Sequence, residues 1–457
     1  MNRRQFIGTL GAAAAVTGLA ACKKDSNAST RMNSSEPARM PRRTGVHGEQ
    51  VSLLGYGCMR WPTLANVKDE QANDIDQEAV NRLVDHAIAH GVNYFDTSPV
   101  YCKGYSEQTT GIALSRYPRE SYYLATKLSN FDPETQSLEA SKAMYYKSME
   151  YLRTDYIDFY LLHAIGGGGM KNLHQRYLDS GILDFLLEER AAGRIRNLGF
   201  SYHGEVECFD YLLQLHDKKS SPITWDFVQI QMNYLDMNHA KQVNPRNTNA
   251  SYLYGELEKR HIPVVIMEPL LGGRLASLTP TESARLKARE PERSIASWAF
   301  RFCGTYPGVL TVLSGMTYME HLQDNLSSFM PWQPLSPTEL QLLEDIAHEC
   351  INFPLIPCTG CQYCMPCPFG IDIPGNFRHY NKMLEEGRVN DNPESAEYQR
   401  MRRHYLTTYL QQVPRPRQAE HCIACGRCLP ECPQHIDIPD ELARIDRFVE
   451  SLKNHIE

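Results

Sequence analysis

The sequence predicts an α/β protein: a closed (β/α)8 TIM barrel followed by a smaller, mainly helical, cysteine-rich module. Three observations predict it. Between residues 45 and 330, short apolar strands alternate with amphipathic helices. The strand candidates number eight, the count of a closed parallel barrel. Eight of the fourteen cysteines crowd into two runs between residues 358 and 432, which points to metal ligation rather than a disulfide framework. The 457 residues have room for a barrel of about 250 residues and a second module. Hydrophobic content of 42% supplies a sizeable core. Net charge is −7 with both signs mixed along the chain, so there is no basic stripe and nucleic acid is not an expected partner.

Residues 1–42 precede the barrel. Arg3 and Arg4 form a positive start, and the weakly apolar stretch Phe6–Ala21 is too short to span a bilayer. Arg3-Arg4 followed by Gln5-Phe6-Ile7 resembles a twin-arginine (Tat) export signal. Leu19-Ala20-Ala21-Cys22 resembles a bacterial lipobox, which implies a lipoprotein acylated on Cys22. The polar stretch that follows, to residue 42, reads as a flexible tether. These segments imply an exported protein held on the periplasmic side of a membrane or at the cell surface, by acyl chains worth about 0.8 kcal/mol per buried CH₂.

The barrel is expected over 43–333. Its strand candidates are Leu53–Met59, Tyr94–Ser98, Tyr122–Leu128, Tyr156–His163, Ile195–Tyr202, Phe227–Asn233, Val264–Leu270 and Thr311–Met316. Helices are expected between them, for example Asp76–His90, Leu138–Leu152, Gly181–Ala192 and Arg293–Phe302. The first should bury Ala79, Leu83, Ala87 and Ile88. Gly91 and Gly193 stand where a left-handed residue ends a helix. An open doubly wound sheet is the rival fold. It would favour G-x-G-x-x-G after the first strand, and Gly55-Tyr56-Gly57-Cys58-Met59 lacks the third glycine.

Barrel chemistry belongs at the C-terminal strand ends. Those ends carry Asp96, then Tyr101 in the following loop, Lys127 and His163. A free phenol with a pKa of about 10 is a poor acid at neutral pH. A neighbouring ammonium should lower that pKa, an aspartate should hold the ammonium, and a histidine can share the phenol proton and orient a carbonyl. Together they can protonate an alkoxide as hydride arrives. The stretches Phe95-Asp96-Thr97-Ser98-Pro99-Val100-Tyr101, Leu124-Ala125-Thr126-Lys127 and Asp158-Phe159-Tyr160-Leu161-Leu162-His163 resemble the Asp, Tyr, Lys and His tetrad of the aldo-keto reductase superfamily. The resemblance implies Tyr101 as general acid, tuned by Lys127 and His163, with Asp96 supporting Lys127. It also implies hydride transfer between NADPH or NADH and a small-molecule carbonyl or alcohol.

The cofactor positions are implied by the same resemblance. Ser201 and Gln229 match residues that hold the nicotinamide carboxamide, with Tyr202 at a position that is commonly Asn and Met267 at one that is commonly aromatic. Leu270, Gly272 and Arg274 belong to the loop that folds over the pyrophosphate. Gly315, His321 and Asn325 match the adenosine-phosphate region. Gly315 and His321 replace basic residues that hold a 2′-phosphate, so the choice between NADPH and NADH stays open. Substrate specificity is expected from the loops Cys102–Ser106, Gly166–Leu173 and Leu235–Asn249.

The module is expected over 334–457. Cys422, Cys425, Cys428 and Cys432, followed by Pro433, have the C-x2-C-x2-C-x3-C-P spacing that resembles a bacterial two-cluster ferredoxin. Cys358, Cys361, Cys364 and Cys367 before Pro368 differ by one residue. The matching tails Gly370-Ile371-Asp372-Ile373-Pro374 and His435-Ile436-Asp437-Ile438-Pro439 suggest an internal duplication. Zinc sites more often pair two C-x-x-C knuckles across a longer gap, and cysteines three apart make strained disulfides. The ferredoxin resemblance therefore implies two 4Fe-4S clusters. Their sets would be Cys358, Cys361, Cys364 and Cys432, and Cys422, Cys425, Cys428 and Cys367, because the fourth cysteine of each run serves the other cluster. A helix is expected over Glu397–Leu410. The clusters either exchange electrons with a redox partner protein or are structural. The rival to an enzyme is a membrane-tethered iron–sulfur electron carrier whose barrel is a docking scaffold.

Overall fold

The computed structural model describes residues 39–64, 72–244, 246–351, 355–389 and 397–454. The expected export signal, Cys22 and the tether up to residue 38 lie outside the described residues. The short strands β1 (Arg42–Thr44) and β2 (Gln50–Ser52) pair as an antiparallel hairpin that the sequence reading missed. Eight parallel strands follow: β3 (Leu54–Gly57), β4 (Tyr94–Asp96), β5 (Tyr123–Leu128), β6 (Ile157–Ile165), β7 (Ile195–Tyr202), β8 (Phe227–Gln231), β9 (Val264–Met267) and β10 (Val309–Ser314). They close in chain order, with β10 pairing both β9 and β3. Each overlaps an expected strand.

Closure leaves these strands no free edge, and their inward side chains fill the interior. Phe159 packs there edge to face with Phe227 and tilted against Tyr94, with ring centroids 5.0 Å apart in both pairs. Val51 of the hairpin joins this buried cluster. The hairpin sits beneath the N-terminal strand ends, where Gln50 N donates to Tyr123 Oη at 3.0 Å and Ser52 N to Asn93 Oδ1 at 2.8 Å. The opposite rim is left for the site.

The outer helices follow their caps. In the helix Gln77–Ala89, Asp76 Oδ1 accepts from Ala79 N at 3.0 Å, and Gly91 takes φ 87° beyond its end. Its buried face is Val80, Leu83, Val84 and Ala87. The expected face was rotated: Val80 and Val84 turn inward as the bulkier apolar pair, and Ala79 and Ile88 fall to its margins.

In the module, the helices Ile373–Glu385, Tyr398–Gln412 and Ile438–Asn454 surround a separate apolar core containing Phe377, Tyr405 and Ile445. The two cysteine runs share one backbone path. Gly360 and Ala424 are left-handed at φ 63° and 55°, Gln362 and Gly426 at 68° and 73°, and Gly370 and His435 at 77° and 52°. Those pairs occupy equivalent places in the two runs, so the duplication extends to conformation.

Candidate active site and cysteine clusters

The strand ends bring the four expected residues together. Lys127, at the end of β5, donates to Asp96 Oδ1 at 2.6 Å and to the Thr97 carbonyl at 2.8 Å. Both charged side chains are almost fully buried, at 1% and 3% exposure, so each needs the other. Tyr101 sits on a short turn after β4, and Lys127 Nζ lies 4.8 Å from its ring centre. The His163 ring meets Tyr101 edge-on at 6.1 Å. Ser129 Oγ is 2.6 Å from His163 Nδ1 and Ser98 Oγ is 2.8 Å from Ser129 Oγ. The tautomer in which Nδ1 accepts from Ser129 carries its ring proton on Nε2. Burial first, and Lys127 next, hold the His163 pKa well below its ordinary value, so the ring is neutral.

Tyr101 departs from expectation in its acidity. Its pKa is raised well above the ordinary phenol value, by burial first and then by Tyr363 and Asp96. The ammonium of Lys127 does not reverse this, because Asp96 already compensates its charge. In this state Tyr101 is a firmly protonated donor rather than an incipient phenolate.

A cavity of about 570 Å³ runs from Asp96 and Tyr101 past Gln229 and Met267 to Gly315, His321 and Asn325. Leu270 and Gly272 line it as expected. Ser201 is fully buried and is not among the lining residues; its Oγ accepts from Ala164 N at 3.0 Å. Arg274 is a correction: it is not among the lining residues, and its guanidinium donates to the Cys350 carbonyl at 3.1 Å. Tyr202 also turns away, hydrogen-bonding Gly204 and Thr248. His203 faces the cavity in its place. Among the described residues, three buried polar atoms of this wall lack a hydrogen-bond partner: Asp96 Oδ2, His203 Nδ1 and Gln229 Oε1. Such orphans fit a polar guest such as a carboxamide. Arg60 is the one guanidinium or ammonium among the described lining residues, and sequence reasoning passed over it.

The module forms the roof. Thr359, Cys361, Tyr363, Pro433 and Gln434 all line the same cavity. Arg60 Nη2 donates to the Thr359 carbonyl at 2.8 Å. Gln434 Nε2 donates to Gln231 Oε1 at 2.8 Å, and Asn244 Nδ2 to the carbonyls of Gln434 and His435 at 2.9 and 2.7 Å. Gly272 packs so closely that a Cβ would lie 2.4 Å from Thr359 Cα.

Behind that roof, Cys358, Cys361, Cys364 and Cys432 line one small void with Ile373 and Phe377. Burial, helped by Cys432, pushes the Cys358 and Cys361 thiols up to about 11 and about 12. The Cys428 thiol, raised to about 11 by burial, faces Cys422, Cys425 and Cys367. The structure thus brings together Cys358, Cys361, Cys364 and Cys432, the first of the two sets that the ferredoxin resemblance implied. Four soft sulfur donors about a void suit an iron–sulfur cluster, and a bound metal would deprotonate such thiols outright. Cys361 lines both the void and the cavity. Cys425 is exposed.

Comparison with known proteins agrees with this division. Residues 53–348 match the aldo/keto reductase family, and residues 357–437 match the 4Fe-4S dicluster domain. The chain is 25% identical over 319 residues to the uncharacterized oxidoreductase YqkF of Bacillus subtilis, covering 63% of this chain and 90% of that one. It is 24% identical over 319 residues to L-galactose dehydrogenase of Arabidopsis thaliana, covering 66% and 92%. Among solved structures, the holo form of aldo-keto reductase AKR11C1 from Bacillus halodurans superposes with a TM-score of 0.51 at 24% identity, covering 67% and 96%. The family match takes in the whole tetrad and most of the barrel. The chain thus belongs to the aldo/keto reductase family, as an NAD(P)H-dependent oxidoreductase whose barrel is followed by a 4Fe-4S dicluster domain.

Proposed function

We propose that the chain transfers hydride between NADPH or NADH and a small carbonyl or alcohol, with Tyr101 as the proton donor. The observation that carries this reading is the meeting of Tyr101, Lys127, Asp96 and His163 at one end of a cavity lined at the other by Gly315, His321 and Asn325. A bound nicotinamide supplies the hydride. Gln229 Oε1 is placed to accept from a carboxamide, and Arg60 to meet a phosphate. Tyr101 and the Nε2–H of His163 converge on one point, where a carbonyl oxygen would take both hydrogen bonds. Lys127 and Asp96 hold Tyr101 in place.

The test is anaerobic NADPH and NADH oxidation against aldehydes, ketones and sugars, with Tyr101→Phe beside the wild type. Aldoses are also assayed in the opposite direction, with NAD⁺ and NADP⁺ as hydride acceptors, because one relative is named L-galactose dehydrogenase. Loss of the acid should lower turnover by roughly 10²–10⁴-fold. An equally active variant would remove Tyr101 from its role.

The two cysteine sets hold the 4Fe-4S clusters. Because Cys361 lines both spaces, we favour electron exchange over a purely structural role. Exposed Cys425 marks the side at which a redox partner protein would be met. A reduced-cluster EPR signal after NADPH addition is expected; none within minutes, with NADPH bound, would leave the clusters structural. Export and acylation at Cys22 rest on Arg3-Arg4 and Leu19–Cys22 alone. Labelled palmitate should enter the wild type and not Cys22→Ser.

A further inference from the structure

The module reaches into the barrel's chemistry through Tyr363. This residue stands between two cysteines of the first set, in Cys361-Gln362-Tyr363-Cys364. Its phenol oxygen lies 3.4 Å from His163 Nε2, and its side chain lines the same cavity as Tyr101. Its ring packs against Phe131 at 6.3 Å and meets the His163 ring edge-on at 6.4 Å. The backbone around it is fixed by the Met365 N to Gln362 carbonyl turn at 2.9 Å, the left-handed Gln362, and the Arg60 bond to Thr359.

We infer that Tyr363 is a specificity-determining residue of the barrel, because its phenol oxygen occupies the seat of the substrate's carbonyl oxygen. This role for Tyr363 rests on the proposed hydride chemistry. A carbonyl oxygen has to accept from Tyr101 and from His163 Nε2 if Tyr101 is to protonate it. Tyr363 Oη already holds the hydrogen-bond position at His163 Nε2, in the cavity that Tyr101 also lines. A carbonyl oxygen bonded to that nitrogen needs the same position. A substrate therefore enters by displacing Tyr363, and the module sets how readily that happens. Tyr363 is not a second acid: Lys127 lies against the Tyr101 ring, and Tyr101 is the phenol at the cofactor wall beside Asp96.

Displacement weakens apparent affinity by the fraction of molecules whose seat is free. The variants are Tyr363→Ala, which empties the seat, and Tyr363→Leu, which keeps apolar bulk near the cluster loop. Iron content and visible absorbance confirm that both retain their clusters. Two readouts are taken: KM and kcat for a small ketone and a bulky one, and calorimetric binding of butyrate, an unreactive carboxylate, to protein saturated with NADP⁺. Both variants should bind butyrate and lower KM by roughly tenfold or more, the gain from freeing a seat that is open about one part in ten. The gain should be larger for the bulky ketone, and kcat should still collapse when Tyr101→Phe is added. Unchanged butyrate affinity and KM in both variants would overturn the inference. So would a loss of kcat as deep as that of Tyr101→Phe, which would make Tyr363 a catalytic acid. If no carbonyl is turned over by wild type or variants, hydride chemistry fails, and the butyrate measurement still decides whether Tyr363 fills the seat. If one variant loses its clusters, the other carries the test.

Discussion

In the barrel, Asp96, Lys127 and His163 stand on or just beyond strands whose ladders close on themselves, above an interior packed with Tyr94, Phe159 and Phe227. In the module, the eight cysteines stand on loops, held by left-handed residues and flanked by helices around a smaller core. The first site is ordered by backbone hydrogen bonds that exist without any guest. The second gathers thiols on loops, with Cys364 and Cys428 pushed up in pKa by burial first and by neighbouring thiols next, and has no ladder beneath it. The difference teaches that one chain can carry a site ordered by its fold beside a site whose order depends on its ligand. The boundary between them, at Thr359 and Tyr363, is where the two become one cavity.

The four tryptophans, Trp61, Trp225, Trp298 and Trp332, all precede the cysteine runs. Their fluorescence follows the barrel, while cluster absorbance follows the module. The largest expected effect is that of cluster removal by oxidant and chelator. The module should lose its helical ellipticity and its own unfolding transition, while the tryptophan transition survives. Loss of both would mean that the two regions fold as one. Next is Phe159→Ala, which empties the middle of the barrel interior. It should cost about 3–5 kcal/mol in the tryptophan transition and leave cluster absorbance unchanged.

His379 gives a smaller, pH-dependent effect in the module. Its ring is buried between Tyr405 and Tyr409, with Nε2 3.0 Å from Thr408 Oγ1. Burial first, then Lys382 and His404, lower its pKa to about 4. The unfolded chain binds this proton more readily, so stability should fall as pH drops from about 6.5 to about 4, then level off, by on the order of 2–3 kcal/mol. His379→Gln should flatten that slope relative to wild type in denaturant titrations followed by cluster bleaching. Smallest is Asp372→Ala. It removes the Oδ1 that accepts from Gly375 N at 2.9 Å and should cost the module about 1 kcal/mol, with the barrel transition unmoved.

The barrel was legible because eight short, mainly apolar segments recur between helical patterns, several of them ending in a polar residue, as in Leu124-Ala125-Thr126-Lys127. The cysteine sets were legible because ligand spacing is a local property. The hairpin was not, since strands of three residues carry too little pattern to register. Arg274 was misplaced because proximity to Gly272 and Gly273 fixes where the backbone runs, not where a long side chain points. His203 was not singled out, because attention stopped at Tyr202, which stands where the family commonly has Asn. Tyr363 carried no local signal. Between two cysteines it reads as loop filler, and its partner His163 lies 200 residues away in sequence. Only the docking of the module on the barrel gives it a role.

The central claim is that the barrel holds a nicotinamide under a roof supplied by the module. Its most direct test is a fluorescence titration of NADPH and NADH into signal-free protein with intact clusters, beside Gln229→Leu. The account expects saturable enhancement for at least one of the two, weakened in the variant. No saturable binding of either, with the clusters intact, would contradict it and leave the barrel a scaffold for an iron–sulfur electron carrier.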